Sequence, residues 1–293
     1  MDRYTKVIKE SEVPVEMEVI KAELEKITEK LPGLRNKDTF TKIFNCIDLT
    51  TLNTDDSQDS VTDFVLRVNA FDNEYPQYPN VAAVCVYSNF AGVVRPVLEV
   101  TGVKIAVVAG GFPSGQTFTA VKVADAALAV SDGADEIDIV MNIGMLRDKN
   151  YEELCDELIE VKHAIKDARM KVIIESGALK DAEEIRNASI LALWSEADFI
   201  KTSTGKVYAG ASPEAAYVMC RCIKEYFEKT GNRVGFKAAG GVRSTEDALL
   251  YYAIVKEVLG DEWLSNEFFR IGASSLANNI LADMMGEPGK KFF

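Results

Sequence analysis

The chain has 293 residues, 47% hydrophobic, 27% charged and 9% aromatic, which is enough apolar material for a large core. A net charge of −13 and the lack of any run of five basic residues argue against nucleic acid or an anionic membrane as partner. The single histidine excludes zinc sites built on two or three imidazoles.

Residues 1–40 are polar and helical in character. Val15, Val19, Ile20, Leu24 and Ile27 recur at near-helical spacing within 13–31, until Pro32-Gly33 stops the pattern. With no Pro/Gly/Ser-rich linker after it, this segment is expected to be a helical extension packed on the next domain. From residue 41 the pattern changes. Short Val/Ile-rich runs at 44–49, 81–87, 105–108, 137–140, 172–174, 199–201, 234–237 and 269–271 alternate with longer periodic, charged stretches. Those stretches span 61–71, 90–100, 118–131, 151–168, 182–195, 213–229 and 245–259, and a last helix follows Ser274. Eight continuous apolar strands alternating with helices indicate a parallel sheet covered on its outer face. Eight such units close into a (β/α)8 TIM barrel over 41–285, leaving 286–293 as a tail. The competing doubly wound open sheet requires a Gly-rich loop after its first strand. Here that strand runs into Asp48-Leu49-Thr50-Thr51-Leu52-Asn53.

Cys46, Cys85, Cys155, Cys220 and Cys222 are odd in number and irregular in spacing, so a reducing compartment is expected. The N-terminus lacks an apolar signal core, and the protein is expected in the cytoplasm. His163 lies in 151–168 beside an apolar stripe of Leu154, Leu158, Val161 and Ile165. It reads as a helix-face residue, not a catalytic one.

Barrel enzymes place their chemistry at the C-terminal ends of the strands. Asp48 lies near the end of the first run, Cys85 in the second and Asp138 inside the fourth. Lys201 ends the sixth run and Lys237 the seventh. Lys171 precedes the fifth run, at what reads as the wrong end. Two lysines and two aspartates at one mouth suit amine catalysis. Burial and a like-charged neighbour lower a lysine's pKa, and the neutral amine forms a Schiff base with a carbonyl. Asp138 with a water can shuttle the proton, and no metal or cofactor is needed. Gly205, Gly240-Gly241 and Gly272-Ala273-Ser274-Ser275 follow three adjacent strands, where small residues let backbone N–H groups approach a phosphate. Arg243 can add a charge there.

These residues resemble those of the deoxyribose-phosphate aldolases, a class I aldolase family. The resemblance spans about 41–285 with one motif per barrel unit. It includes Gly111-Phe112-Pro113-Ser114-Gly115, Gly133-Ala134-Asp135-Glu136-Ile137-Asp138, Lys171-Val172-Ile173-Ile174-Glu175, Phe199-Ile200-Lys201-Thr202-Ser203-Thr204-Gly205 and Gly235-Phe236-Lys237-Ala238-Ala239-Gly240-Gly241. The resemblance implies reversible cleavage of 2-deoxy-D-ribose 5-phosphate to D-glyceraldehyde 3-phosphate and acetaldehyde, in deoxyribonucleoside breakdown. It implies Lys201 as the Schiff-base lysine, Lys237 as the lysine that lowers its pKa, Asp138 as the proton relay and Asp48 as the residue positioning Lys237. It implies substrate contacts from Cys85, Thr204, Gly205, Lys206, Gly240, Gly241, Arg243, Gly272, Ser274 and Ser275, and a homo-oligomer, dimer or tetramer. Three departures stand out. Ala238 replaces a proline found in many relatives, which is expected to loosen the turn after Lys237. The tail ends Lys291-Phe292-Phe293 without the tyrosine that assists proton transfer in some relatives. The N-terminal segment is longer than in the shorter relatives. An aldolase of shifted aldehyde specificity and a barrel serving as a binding scaffold are the alternatives.

Overall fold

A computed structural model describes residues 2–293. Strands β1 (Ile47–Thr50), β2 (Ala83–Tyr87), β3 (Lys104–Ala109), β4 (Glu136–Val140), β5 (Arg169–Ile173), β6 (Phe199–Lys201), β7 (Gly235–Ala239) and β8 (Phe269–Ala273) are parallel and close into one barrel. All eight apolar runs carry strands. The first boundary differs from expectation: Phe44 and Asn45 end a helix instead of opening β1. Asn36 caps that helix by accepting the Thr39 N–H at 3.0 Å, and Phe40, Ile43 and Phe44 make a buried face of helical, not alternating, period.

Four helices precede the barrel: α1 (Arg3–Lys9), α2 (Met17–Thr28), α3 (Leu31–Leu34) and α4 (Lys37–Asn45). Between and after the strands lie α5 (Gln58–Glu74), α6 (Ala91–Val97), α7 (Thr119–Ser131), α8 (Ile143–Arg147), α9 (Tyr151–Ile165), α10 (Ala182–Leu193), α11 (Pro213–Thr230), α12 (Thr245–Val258) and α13 (Leu276–Met285). Polar caps set where the long helices begin. Ser57 and Ser60 form a capping box on α5, Ser244 and Asp247 one on α12, and Ser212 caps α11 ahead of Pro213. The N-terminal helices lie on the outer ring: α1 against α9 and α10, α2 against α11 and α12, α4 against α12 and α13. The tail folds back along α13. Asn278 accepts the N–H groups of Phe292 (2.7 Å) and Phe293 (3.0 Å) and donates to the Phe293 carbonyl. Both rings pack on Phe71, at centroid distances of 5.6 and 5.4 Å.

Strand alternation separates two interiors. Leu49, Val84, Val86, Ile105, Val107, Ile137, Ile139, Val172, Ile200, Phe236 and Ile271 join the apolar core under the helices. Inside the barrel a second, small apolar cluster holds Leu52, Ala83, Cys85, Ala106 and Val108, all from the β1–β3 side. The β4–β8 side of the interior carries the charged residues, with Val140, Ile173 and Phe199 buried on the same strand faces.

Candidate active site

Asp138 is the hub of that charged interior. Its Oδ2 accepts from Lys201 Nζ and from Lys237 Nζ, each at 2.7 Å, and its Oδ1 accepts from Lys171 Nζ at 3.0 Å. Parallel pairing explains the convergence. Lys201 and Lys237 are register partners on β6 and β7, as are Asp138 and Lys171 on β4 and β5. Lys237 also donates to Asp48 Oδ2 at 2.5 Å. Arg270 donates to Asp48 Oδ1 at 2.6 Å and to both oxygens of Glu136, at 3.1 and 2.9 Å. Lys171 completes the set with Glu136 at 2.5 Å and Asp48 at 3.6 Å. Gly272 on β8 makes room for the second lysine: a Cβ there would sit 3.1 Å from Lys237 Cε.

The two register-paired lysines titrate in opposite directions. Burial pushes Lys201 down, Asp138 beside it works the other way, and Lys237 adds repulsion; the balance lies below the ordinary lysine value. Burial alone would also depress Lys237, but Asp138 and Asp48 outweigh it and hold the ammonium above its usual range. Lys171 is raised likewise against burial, by Asp138, Glu136 and Asp48. Burial disfavours the Asp138 carboxylate, yet Lys171, Lys201 and Lys237 overcome that and keep it well below the usual range. The surroundings thus favour the ionised form of Asp138 and the charged forms of Lys171 and Lys237, and of the three lysines only Lys201 is shifted toward its neutral form.

Lys201 also differs in access. It is 4% exposed where Lys171 and Lys237 are 0%, and of these three it alone lines the pocket of about 270 Å³ at the barrel mouth. The lining also includes Thr204, Gly205, Lys206, Gly240, Gly241, Arg243, Gly272, Ser274 and Ser275, the residues the resemblance implies for substrate contact, together with Thr50–Asn53. Gly205 and Gly240 approach so closely that a Cβ on Gly205 would lie 3.2 Å from the Gly240 Cα, and both have positive φ, +73° and +84°. Helix α13 starts at this wall without an acidic first turn or a side-chain cap, which suits an anion. Arg243 is exposed at the rim, and Lys206 Nζ donates to the Leu52 carbonyl across the mouth.

Cys85 is buried in the inner apolar cluster, and burial pushes its thiol up. His163 is largely exposed and faces Glu196 at 3.9 Å, far in sequence and role from the pocket lining. Ala238 is buried within β7. β7 continues through Ala239, and the Thr202 hydroxyl accepts the Ala239 N–H and donates to its carbonyl, both at 3.0 Å. The tail contributes no residue to the pocket.

Lys171 requires a correction. It lies in the middle of β5, not at the wrong end of the site, because the strand begins at Arg169, ahead of the apolar run. Glu136 and Arg270 are also in the network and were not expected. The overlooked signal is alternation: Lys171 and Arg270 each sit between apolar neighbours in a strand whose other face is buried, and Glu136 precedes Ile137 two positions before Asp138, so all three point into the barrel. A further unforeseen residue is Glu175, just past β5. Its buried carboxylate accepts the Thr204 N–H at 3.1 Å and hydroxyl at 2.6 Å, anchoring the turn that carries Gly205 and Lys206.

Comparison with known proteins agrees with this geometry. The profile of the DeoC/LacD family aldolases matches residues 42–279. A deoxyribose-phosphate aldolase of Homo sapiens is 40% identical over 249 residues, 82% of this chain and 78% of that protein. A solved structure described as an aldolase superposes with a TM-score of 0.67 at 30% identity, covering 83% of this chain and 96% of its own. A deoxyribose phosphate aldolase from Aeropyrum pernix, described as tetrameric, shares the fold with a TM-score of 0.65 at 24% identity, covering 87% and 96%. With an ion-paired lysine at the mouth of an eight-stranded barrel and these relatives across most of its length, the chain belongs to the DeoC/LacD family of aldolases.

Proposed function

We propose that this enzyme is a class I aldolase that reversibly cleaves 2-deoxy-D-ribose 5-phosphate to D-glyceraldehyde 3-phosphate and acetaldehyde, serving deoxyribonucleoside breakdown in the cytoplasm. The observation that carries the reading is that Lys201, with the lowered pKa, shares its pocket with three glycine-rich loop ends suited to a phosphate. In the open-chain sugar the neutral Lys201 amine attacks the C1 aldehyde and water leaves, giving an iminium. The C3 hydroxyl then loses its proton, through a water, to the Asp138 carboxylate. The C2–C3 electron pair moves into the iminium, so glyceraldehyde 3-phosphate departs and an enamine remains. The proton returns to C2, and water hydrolyses the resulting iminium to acetaldehyde and the free amine. Lys237 and Lys171 hold Asp138 ionised, and Asp48 holds Lys237. The phosphate lies against Gly205, Gly240-Gly241 and Ser274-Ser275, with Arg243 and Lys206 at the rim. Reduction of the imine with borohydride in the presence of 2-deoxyribose 5-phosphate, followed by peptide mass mapping, tests this. The expected adduct is on Lys201; an adduct on Lys171 or Lys237, or none from folded protein, contradicts the reading.

A further inference from the structure

The charged interior is one closed circuit. Lys201 meets Asp138, Asp138 meets Lys237 and Lys171, Lys237 meets Asp48, Asp48 meets Arg270, and Arg270 meets Glu136, which returns to Lys171. Asp48, Glu136 and Asp138 are its carboxylates; Lys171, Lys201, Lys237 and Arg270 are its cations, and all seven are buried. Fully ionised, the circuit therefore holds one more positive charge than negative. It becomes neutral when one cation releases a proton. A guanidinium does not do so. Lys171 lies within ion-pair reach of three carboxylates and Lys237 of two, whereas Lys201 has Asp138 alone.

We propose that Arg270 and Glu136, neither of which is bonded to Lys201, are positioning residues that set how readily Lys201 becomes the neutral amine. Arg270 supplies the surplus charge that expels the proton, and Glu136 limits the surplus to one. The proposal rests on Lys201 being the amine nucleophile. The titratable groups around Lys201 are Asp48 on β1, Cys85 on β2, Glu136 and Asp138 on β4, Lys171 on β5 with Glu175 beyond it, Lys206 on the loop after β6, Lys237 on β7 and Arg270 on β8. Glu175 and Lys206 stand outside the circuit, Glu175 bonded to Thr204 and Lys206 to the Leu52 carbonyl. The Arg270 guanidinium is further fixed by two contacts: its Nε donates to the Asn266 carbonyl, and its Cζ lies 5.7 Å from the centre of the Phe199 ring.

The test uses the full chain, acetaldehyde as the carbonyl probe and cyanoborohydride as the trap, with the Lys201 adduct quantified from pH 5 to pH 10. Glu136→Gln keeps an acceptor for Arg270 at equal volume. It raises the surplus, and the trapping midpoint is expected about one pH unit below wild type. Arg270→Met removes the surplus, and the midpoint is expected about one unit above. The double variant is expected to return close to wild type. Arg270→Met leaves two buried carboxylates short of a partner, so folding of that chain is checked first; Glu136→Gln and the double variant decide the matter without it. An unmoved midpoint in folded Glu136→Gln, or both charge changes moving it the same way, overturns the proposal and points to a purely structural pair. Failure of wild type to form the Lys201 adduct overturns the proposed function instead.

Discussion

On the β1–β3 side the barrel is filled by Leu52, Ala83, Cys85, Ala106 and Val108, while on the β4–β8 side the interior holds Glu136, Asp138, Lys171, Lys201, Lys237 and Arg270, with Asp48 reaching in from β1. Both sides are buried, no named residue of either more than 7% exposed. The apolar side needs only close packing, because nothing in it must be kept in a particular charge state. Each ion on the other side loses several kcal/mol of hydration, which is recovered only where a counter-ion and hydrogen bonds replace the water. Branched apolar residues fill such barrels at lower cost. The difference teaches that the charged side is arranged unevenly: of three neighbouring lysines, burial and a single carboxylate partner lower Lys201, while two or more carboxylates raise Lys171 and Lys237.

Substitutions sharpen that contrast when ordered by their expected effect on turnover. Lys201→Arg retains the charge but cannot form an imine, so turnover with 2-deoxyribose 5-phosphate should fall by at least ~10⁴-fold. Asp138→Asn takes the shared anion from three lysines at once. Turnover should fall about 10²–10⁴-fold, and stability in urea by about 3–5 kcal/mol. Lys237→Leu removes the repelling neighbour of Lys201, so the Lys201 pKa rises and less neutral amine exists at pH 7. The acid limb of the pH–rate profile should move to higher pH, with a loss of roughly 10–100-fold near neutrality. An unchanged profile would break the assignment of Lys237. Val108→Ala, on the apolar side, should cost about 1–3 kcal/mol in stability and leave kcat/KM within about threefold. A large kinetic effect there would erase the distinction between the sides.

Much of this arrangement is legible in the sequence because a parallel barrel writes each strand as a short apolar run and each loop end as a break in it. The runs at 137–140 and 199–201 show Asp138 and Lys201 directly, and the glycines after β6 and β7 and Gly272 near the end of β8 mark the wall of the pocket. Lys171, Glu136 and Arg270 are harder to see. Glu136 and Lys171 lie just before their apolar runs, where a charge is ordinarily a solvated strand end, and Arg270 interrupts a run of only three residues. Only the register of closure, which pairs Asp138 with Lys171 and Lys237 with Arg270, brings them inside. Glu175 is less visible still. Its contact with Thr204 joins positions 29 residues apart through a left-handed backbone at φ +49°, and no local pattern announces that. The docking of Phe292 and Phe293 depends on Asn278 and Phe71, which are distant in sequence and unremarkable as residue types.

The central claim is that the three barrel lysines, neighbours in space, differ in charge. The direct measurement is an NMR titration of the protein labelled with ¹³C at lysine Cε, assigned by Lys171→Arg, Lys201→Arg and Lys237→Arg. The expected result is that Lys201 titrates below the ordinary lysine value while Lys171 and Lys237 stay protonated past it. Lys201 titrating at or above the ordinary value, or Lys237 losing its proton first, would contradict the account.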